Sequence, residues 1–380
     1  MLALITGGGG FIGRKLASTL LAEGVAVRIL DPLTPQIHGE APRDLDWLTG
    51  EGVEFLRGSV CNRRDLEKAI DGVDYIVHLA AETGTGQSMY EIERYNGVNS
   101  QGTALLLDVL VNARSARLRG IVLASSRSIY GEGAYVCTRC ASADERVYPG
   151  ARSTAQLSRH EWEPTCPICA SALVAVATRE IDRVRPASIY AATKFAQEDL
   201  VRVACEALGV GHAILRFQNV YGEGQSLNNP YTGILSIFST RVRRGLELTV
   251  FEDGLESRDF VHVEDVAKAI ARCITLEASV NEIINVGSGV ATSVLDVAIT
   301  LSEALGFEPN VRVTGDYRIG DIRHNHADIG RMKTQLGLIP SIALRDGLRR
   351  FADWVTTQPL PADLSGRANA ELRARKLMKS

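Results

Sequence analysis

The sequence predicts an α/β fold, with helices on both faces of a doubly wound parallel sheet and a smaller α/β lobe beside it. Three features predict this. Short apolar runs alternate with helix-period segments through the first 126 residues. A glycine cluster joins the first run to the first helix. Two CxxC pairs then interrupt the alternation, which resumes after them.

The elements follow in order. Leu2–Thr6 reads as a strand. Phe11–Glu23 reads as a helix with Phe11, Ile12, Leu16 and Leu20 on one face and Gly24 as its stop. Val25–Leu30 and Val53–Leu56 are further strands, and Arg64–Ile70 is a short helix. Tyr75–Ala81 is an apolar run of the kind a sheet covered on both faces requires. Val98–Asn112 is helical, and Gly120–Ser126 is the next strand. From Gly133 to Ala177 no periodicity survives. A helix at Ser188–Leu208 and a strand at His212–Phe217 restore the rhythm. Gly222–Gly233 is loop-like, Ile234–Gly245 helical, and Asp259–Arg272 runs from loop into helix. The charged end holds Pro359 and Pro361 and reads as a surface tail. The expected organisation is a dinucleotide-binding domain over 1–215 carrying an insertion at 133–177, a lobe over 216–355 interleaved with it, and a tail over 356–380.

Composition narrows the function classes. Apolar residues make up 45% and charged residues 23% of 380, the balance of a soluble globular protein and not of a disordered chain. The net charge of −3 gives no reason to expect nucleic acid or a membrane surface as partner. No apolar run reaches the roughly 18 residues of a membrane helix. Met1–Thr6 lacks the basic region of a signal peptide, so a cytoplasmic location is expected. In such a reducing compartment, the CxxC pairs point to a metal and not to disulfides.

Gly7, Gly10 and Gly13 form a GxxGxxG turn between the first strand and helix. Glycine allows the tight turn and close approach to a pyrophosphate, and the helix N-terminus offers free N–H groups. Asp31 closes the second strand, where a carboxylate suits the adenosine ribose hydroxyls and disfavours a 2′-phosphate. This Rossmann-like pattern predicts NAD as cofactor. Tyr190 and Lys194 stand four residues apart and share a helix face. A neighbouring ammonium lowers a phenol's pKa, which makes Tyr190 a candidate base. The Gly120–Ser126 strand delivers Ser126 to the carboxyl edge of the sheet, where a hydroxyl can hold the substrate oxygen.

Ordered motifs carry a family resemblance over about residues 1–350. They are TGGGGFIG at Thr6–Gly13, HLAA at His78–Ala81, the serine-rich strand end through Tyr130-Gly131, and YAATK at Tyr190–Lys194. LRFQNVYG at Leu215–Gly222, RDFVHVEDVA at Arg258–Ala267 and NVGSG at Asn285–Gly289 complete them. The chain resembles extended short-chain dehydrogenase/reductases of the nucleotide-sugar epimerase/dehydratase family. The resemblance implies that Ser126, Tyr190 and Lys194 are catalytic. It implies cofactor contacts from Phe11, Ile12, Ser59, Val60, Leu79, Ala80, Ala81 and Asn99, beside Gly7, Gly10, Gly13 and Asp31. Asn219, Arg258 and Arg323 would hold the diphosphate and ribose of a nucleotide-diphosphate sugar. Tyr231 and Phe251 would line the same site. A homodimer is usual among such relatives.

The resemblance also orders the possible reactions. Oxidation at the sugar C4 followed by hydride return gives 4-epimerisation. Related dehydratases carry Thr-Asp-Glu where this chain has Ser126-Arg127-Ser128, which disfavours dehydration. A narrower likeness to bacterial dTDP-L-rhamnose 4-epimerases lies in Gly86–Ile92, Tyr130–Gly133, Asn229–Gly233 and Gly320–His324. UDP-glucose or UDP-galactose is the competing substrate. A reductase releasing its cofactor and a non-catalytic NAD-sensing protein are the alternatives in other classes. Ser59 departs from the Asp common in relatives. Arg127 is also unusual and faces either a phosphate or solvent.

Cys137, Cys140, Cys166 and Cys169 can close a tetrahedral Cys₄ site. Four thiolates leave no open position, so a zinc there would be structural. The insertion is expected to overhang the cleft. Cys61, Cys205 and Cys273 read as small core residues.

Overall fold

Seven strands form the central sheet: β1 (Leu2–Thr6), β2 (Ala26–Asp31), β3 (Val53–Arg57), β4 (Tyr75–His78), β5 (Gly120–Ser126), β6 (Gly211–Phe217) and β7 (Glu282–Val286). Their order is β7-β6-β5-β4-β1-β2-β3, and every pairing is parallel. The order reverses between β1 and β4, which opens a crevice at their carboxyl ends. This computed structural model describes residues 1–379 other than 40–44, 114–116, 141–144, 228, 230, 232 and 277–280.

The period-two alternation of the strands divides the core. Ala3, Ile5, Val27, Ile29, Val77 and Leu215 face one side. There they meet Leu16 and Leu20 of α1 (Phe11–Ala22) and the face of a later helix that carries Val266, Ala267, Ile270 and Ile274. Leu4, Leu30, Ile76, Ile121, Leu123 and Ile214 face the other side. They pack on Leu66 of α2 (Arg63–Ala69), Leu106 and Leu110 of α3 (Gly102–Ala113), and Val201 and Cys205 of α4 (Ile189–Leu208). Each fully buried aliphatic side chain contributes roughly 1.5–3 kcal/mol of transfer free energy. Two such layers explain why the strand runs are apolar throughout.

Two boundaries differ from expectation in ways that serve the crevice. β4 ends at His78, where Leu79 still donates to the Thr6 carbonyl at 3.0 Å before the chain turns across Gly7. The expected helix from Val98 begins earlier, at Ile92, and passes through a π-type turn at Asn96–Gln101, which carries Asn99.

A third core joins α5 (Ile234–Arg243), α7 (Val294–Ala304) and α8 (Leu344–Thr357) through Leu235, Phe238, Val297, Leu301 and Phe351. Between them, α6 (Val263–Thr275) is the later helix that packs on the sheet with α1. Because α6 and β7 follow residue 216, the second lobe is threaded back through the first. The chain end corrects the surface-tail expectation: α9 (Ser365–Ala374) buries Ala368 and Leu372, and Met378–Lys379 pairs with Tyr317–Arg318. Among the described residues no helix is long and apolar enough to cross a membrane.

The insertion forms a small antiparallel sheet from Tyr135–Val136, Arg146–Val147 and Val174–Ala175. Its apolar cluster centres on Tyr135, Cys137, Cys166 and Leu173. Cys205 and Cys273 are buried as expected, but Cys61 is exposed and donates toward the Gly97 carbonyl.

Candidate active site

The glycine turn builds a cradle at the crevice. Gly7 has φ +69°, and a Cβ there would lie 2.7 Å from the Ala80 backbone. A Cβ on Gly13 would lie 2.3 Å from the Gly8 carbonyl, so helix and turn touch without a side chain between them. Gly10 caps α1 with no side-chain hydrogen bond, which leaves the helix N-terminus open to an anion. Asp31 accepts from Gly9 N at 2.9 Å and Leu33 N at 2.7 Å, which fixes its carboxylate against the turn. These features fit an NAD pyrophosphate and ribose.

The other expected cofactor residues divide. Phe11 and Ile12 open α1, and Leu79, Ala80 and Ala81 follow β4 beside Gly7. Asn99 is fully buried and holds the chain around the crevice. It accepts from Glu82 N at 2.8 Å and donates to Thr193 Oγ1 at 3.0 Å, tying the β4 loop to α4. The Val60 side chain packs into the core against Gly102. Ser59 spends its hydroxyl on Cys61 N at 3.1 Å, and its own N–H donates to Asp65 Oδ2 at 2.9 Å. A carboxylate therefore stands beside Ser59, supplied by α2.

Local capping positions the Tyr190–Lys194 pair. Ser188 accepts from Ala191 N, and Ser88 accepts from Tyr190 N, both at 3.1 Å. Tyr190 thus sits in the first turn of α4, with Lys194 one turn on. The Tyr190 phenol and Ser126, at the end of β5, face the same cleft. Burial raises the Tyr190 pKa, while Ser126 and the Arg127 charge pull it down. Burial drives Lys194 down to about 7, against the attraction of Glu198. That attraction is weakened because Arg216 grips Glu198 at 3.0 and 2.8 Å, and Ser125 also donates to it. Ser125 therefore supports the site from behind while Ser126 faces it.

A cleft of about 490 Å³ opens over this pair. Ser126, Arg127, Tyr190, Asn219, Tyr231, Phe251 and Arg258 all line it. Arg127 donates to Asn219 Oδ1 at 2.8 Å, while its buried Nη1 has no hydrogen-bond partner among the described residues. Burial and repulsion from Arg258 bring Arg127 down to about 9. Arg258 reaches Asp321 Oδ1 at 3.2 Å. Tyr231 and Tyr90 both donate to Glu371 of α9, at 3.0 and 2.9 Å. Pro230 and Thr232, within the Asn229–Gly233 stretch, lie outside the described residues.

Arg323 is a correction. Its side chain is 1% exposed and is held by Glu163, Glu252 and Asp253, away from the cleft. Those three carboxylates satisfy it, so its guanidinium is not offered to a ligand. On this loop the cleft-facing cation is Arg318, stacked 4.7 Å over the Phe251 ring, with a buried Nε that has no hydrogen-bond partner among the described residues. Gln218, whose side-chain amide is also without a partner among the described residues, lines the same wall. The arginine-glycine-aspartate grouping at Arg318, Gly320 and Asp321 was a signal for this. So was the four-residue spacing of Ala368 and Leu372, which line the cleft from α9.

The Cys137, Cys140, Cys166 and Cys169 sulfurs all lie within 4.8 Å of one another. The Ile168 N–H points at Cys166 Sγ at 3.5 Å, a contact that suits a metal-bound thiolate. Donor type, number and mutual distance fit a tetrahedral metal.

Fold and site together define an NAD-dependent enzyme of the extended short-chain dehydrogenase/reductase class. The chain belongs to the NAD-dependent epimerase/dehydratase family, whose family model matches residues 3–153 and 171–287. The unmatched 154–170 fall inside the insertion. The dTDP-L-rhamnose 4-epimerase of Burkholderia thailandensis is 38% identical over 93% of this chain and 95% of its own length. A putative UDP-glucose 4-epimerase of Methanocaldococcus jannaschii is 28% identical over 93% and 97%. The UDP-glucose 4-epimerase of Thermotoga maritima, solved with UDP-glucose, superposes with a TM-score of 0.74 at 25% identity, covering 94% of this chain and 99% of that one. The Thermus thermophilus UDP-glucose 4-epimerase, solved with NAD, gives 0.72 at 26% identity, covering 94% and 100%.

Proposed function

We propose that this chain epimerises a nucleotide-diphosphate sugar at C4, with dTDP-L-rhamnose and dTDP-6-deoxy-L-talose as the favoured pair. The carrying observation is that Ser126 at the end of β5 and Tyr190 in the first turn of α4 line one cleft, with Lys194 buried one helical turn behind Tyr190. The relative at 38% identity supports the substrate. UDP-glucose and UDP-galactose are the second reading, supported by the UDP-glucose 4-epimerases among the relatives.

NAD, where bound, would supply a reversible hydride acceptor for the sugar C4. The chain's own residues do the rest. Tyr190 Oη takes the proton of the 4-hydroxyl, and Ser126 Oγ holds that oxygen in line. The Lys194 ammonium favours the phenolate. Gly7, Gly10, Gly13 and Asp31 hold the cofactor. Asn219, Arg258, Arg318 and Arg127 offer the diphosphate an electropositive wall. Phe251 and Arg318 stack where a base would lie. Arg127 and Ser128 replace the acidic pair of dehydratases, and Ser128 Oγ donates to Ser126 Oγ at 2.9 Å. This favours epimerisation over water elimination.

The reading includes a structural zinc on the four cysteines and a cytoplasmic location that keeps them reduced. It also includes a homodimer, supported by exposed Val111 and Val203 on the paired helices α3 and α4 and checked by light scattering. The test of function is incubation with dTDP-, UDP- and GDP-sugars without added NAD, followed at C4 by NMR. Inversion of dTDP-L-rhamnose is expected. Inversion of UDP-glucose instead moves the substrate to the second reading, and no inversion with NAD supplied overturns the epimerase.

A further inference from the structure

Two fully buried arginines cross between the insertion and the cleft wall. Arg152, on the insertion, has a side chain 2% exposed. It donates to the Asp321 carbonyl at 3.1 Å, the Trp162 carbonyl at 3.0 Å and Glu252 Oε2 at 2.8 Å. Arg323, on the cleft loop, donates through Nε to Glu163 Oε1 of the insertion at 2.9 Å. It also shares Glu252 at 3.1 Å and makes a bidentate pair with Asp253 at 2.7 and 2.8 Å. His324 Nε2 lies 3.1 Å from Glu163 as well.

The ends of this network are cleft residues. Arg152 holds the backbone of Asp321, whose carboxylate meets Arg258. Glu252 follows Phe251, on which Arg318 stacks. At the other end, Glu163 stands just before Cys166. A short hairpin carries it: Thr165 bridges Ala172, Leu173 N donates to the Pro164 carbonyl at 2.9 Å, and Cys166 N donates to the Ser171 carbonyl at 2.8 Å. The tip of that hairpin bears Cys166 and Cys169. With so few apolar side chains beneath it, the hairpin needs the cysteine site to stay shaped. Glu163 lies in the 154–170 stretch that the family model does not match, whereas Arg152 and Glu252 lie in matched residues, so the brace joins the insertion to the shared frame.

We infer that the insertion is a brace for nucleotide binding: through Arg152 and Glu163, the metal-held hairpin positions the Phe251 turn and the Arg318–Asp321 loop. Arg152 and Glu163 are positioning residues that touch no substrate. The inference rests on the nucleotide-sugar reading of the cleft. Its signature is a loss of nucleotide affinity with NAD retention intact, because the cofactor cradle lies at β1 and β4, outside the brace.

The test uses the full-length protein with its bound NAD and its metal. Calorimetry measures dTDP and UDP binding, alongside NAD content, metal content and thermal unfolding. Glu163→Gln and mild chelation of the metal are each expected to weaken nucleotide binding about tenfold, within the usual range of coupling between sites. NAD content should stay unchanged, with KM raised and kcat within about twofold. Arg152→Lys should recover part of what Arg152→Met loses. If Arg152→Met does not fold, the half-exposed Glu163→Gln decides. Unchanged nucleotide affinity in folded Glu163→Gln, or after metal release, overturns the brace alone. So does equal loss of NAD and nucleotide. Failure of the unaltered protein to bind either nucleotide overturns the nucleotide-sugar reading and the brace with it.

Discussion

The sheet buries two continuous apolar layers, with Ile5, Val27 and Ile29 on one side and Leu4, Ile76 and Leu123 on the other. The insertion rests on a four-residue cluster, two of whose members are cysteines, and on the buried charges of Arg152 and Arg323. Hydrophobic burial is non-directional and survives small shifts. A thiolate site and a buried ion network have fixed partners and fail when one is removed. On the proposed function and brace, chemistry falls to the first region and nucleotide geometry to the second, so the two should respond to different perturbations.

The largest expected effect lies on the sheet side. Tyr190→Phe removes the proton acceptor and should lower turnover by at least about 10²–10⁴-fold. Bound NAD, metal content and thermal stability should be unchanged, because the phenol lines the cleft and the cap of α4 uses the Tyr190 and Ala191 N–H groups, not the phenol. Near-normal turnover in that variant would sink the mechanism. The reciprocal variant, Cys137→Ser with Cys140→Ser, should lose about one zinc per chain. Limited proteolysis should then cut within 133–177 while the sheet stays intact. A native protein that purifies without metal removes the zinc reading.

A comparison of two arginines sharpens the division. Arg318→Ala takes away a cleft cation whose Nε has no partner among the described residues, and should raise KM roughly tenfold or more with little change in stability. Arg323→Ala leaves buried Glu252 to Arg152 alone and takes the guanidinium from Asp253 and Glu163, and should cost about 3–5 kcal/mol in urea unfolding. If both variants behaved as binding variants, the separation of cleft and brace would be wrong.

The same contrast explains what was legible in the sequence. β1, β5 and α4 follow from periodicity, and the cradle from three glycines, because those signals are local. Arg323 and Arg318 are not separable that way. Both sit in one arginine-rich loop, and only the carboxylates of Glu163, Glu252 and Asp253, distant in sequence, decide which one is neutralised. α9 was hidden by its charge, since Ala368 and Leu372 are few among exposed polar residues, and their burial comes from tertiary packing over the cleft. Asn99 lies in a π-type turn that no simple period announces. Cys61 was misplaced because a lone cysteine carries no periodic signal, and its strand-to-helix turn lies at the surface.

The smallest effect concerns Arg127, where the two regions meet. Its charge lowers the Tyr190 pKa, opposing the larger effect of burial. Arg127→Gln leaves burial less opposed, so the phenol becomes harder to ionise. A base acts only when deprotonated, so the rising limb of the pH–rate profile should move to higher pH. Turnover at pH 7 should fall by less than about tenfold and recover in alkaline solution. Arg127→Lys keeps a charge but loses the fork that spans Asn219 and the cleft, so it should keep the pH profile while weakening nucleotide binding. Single-turnover reduction of bound NAD across pH separates the two effects. A pH limb that does not move in Arg127→Gln would confine Arg127 to binding and leave Ser126 and Lys194 as the groups that tune the base.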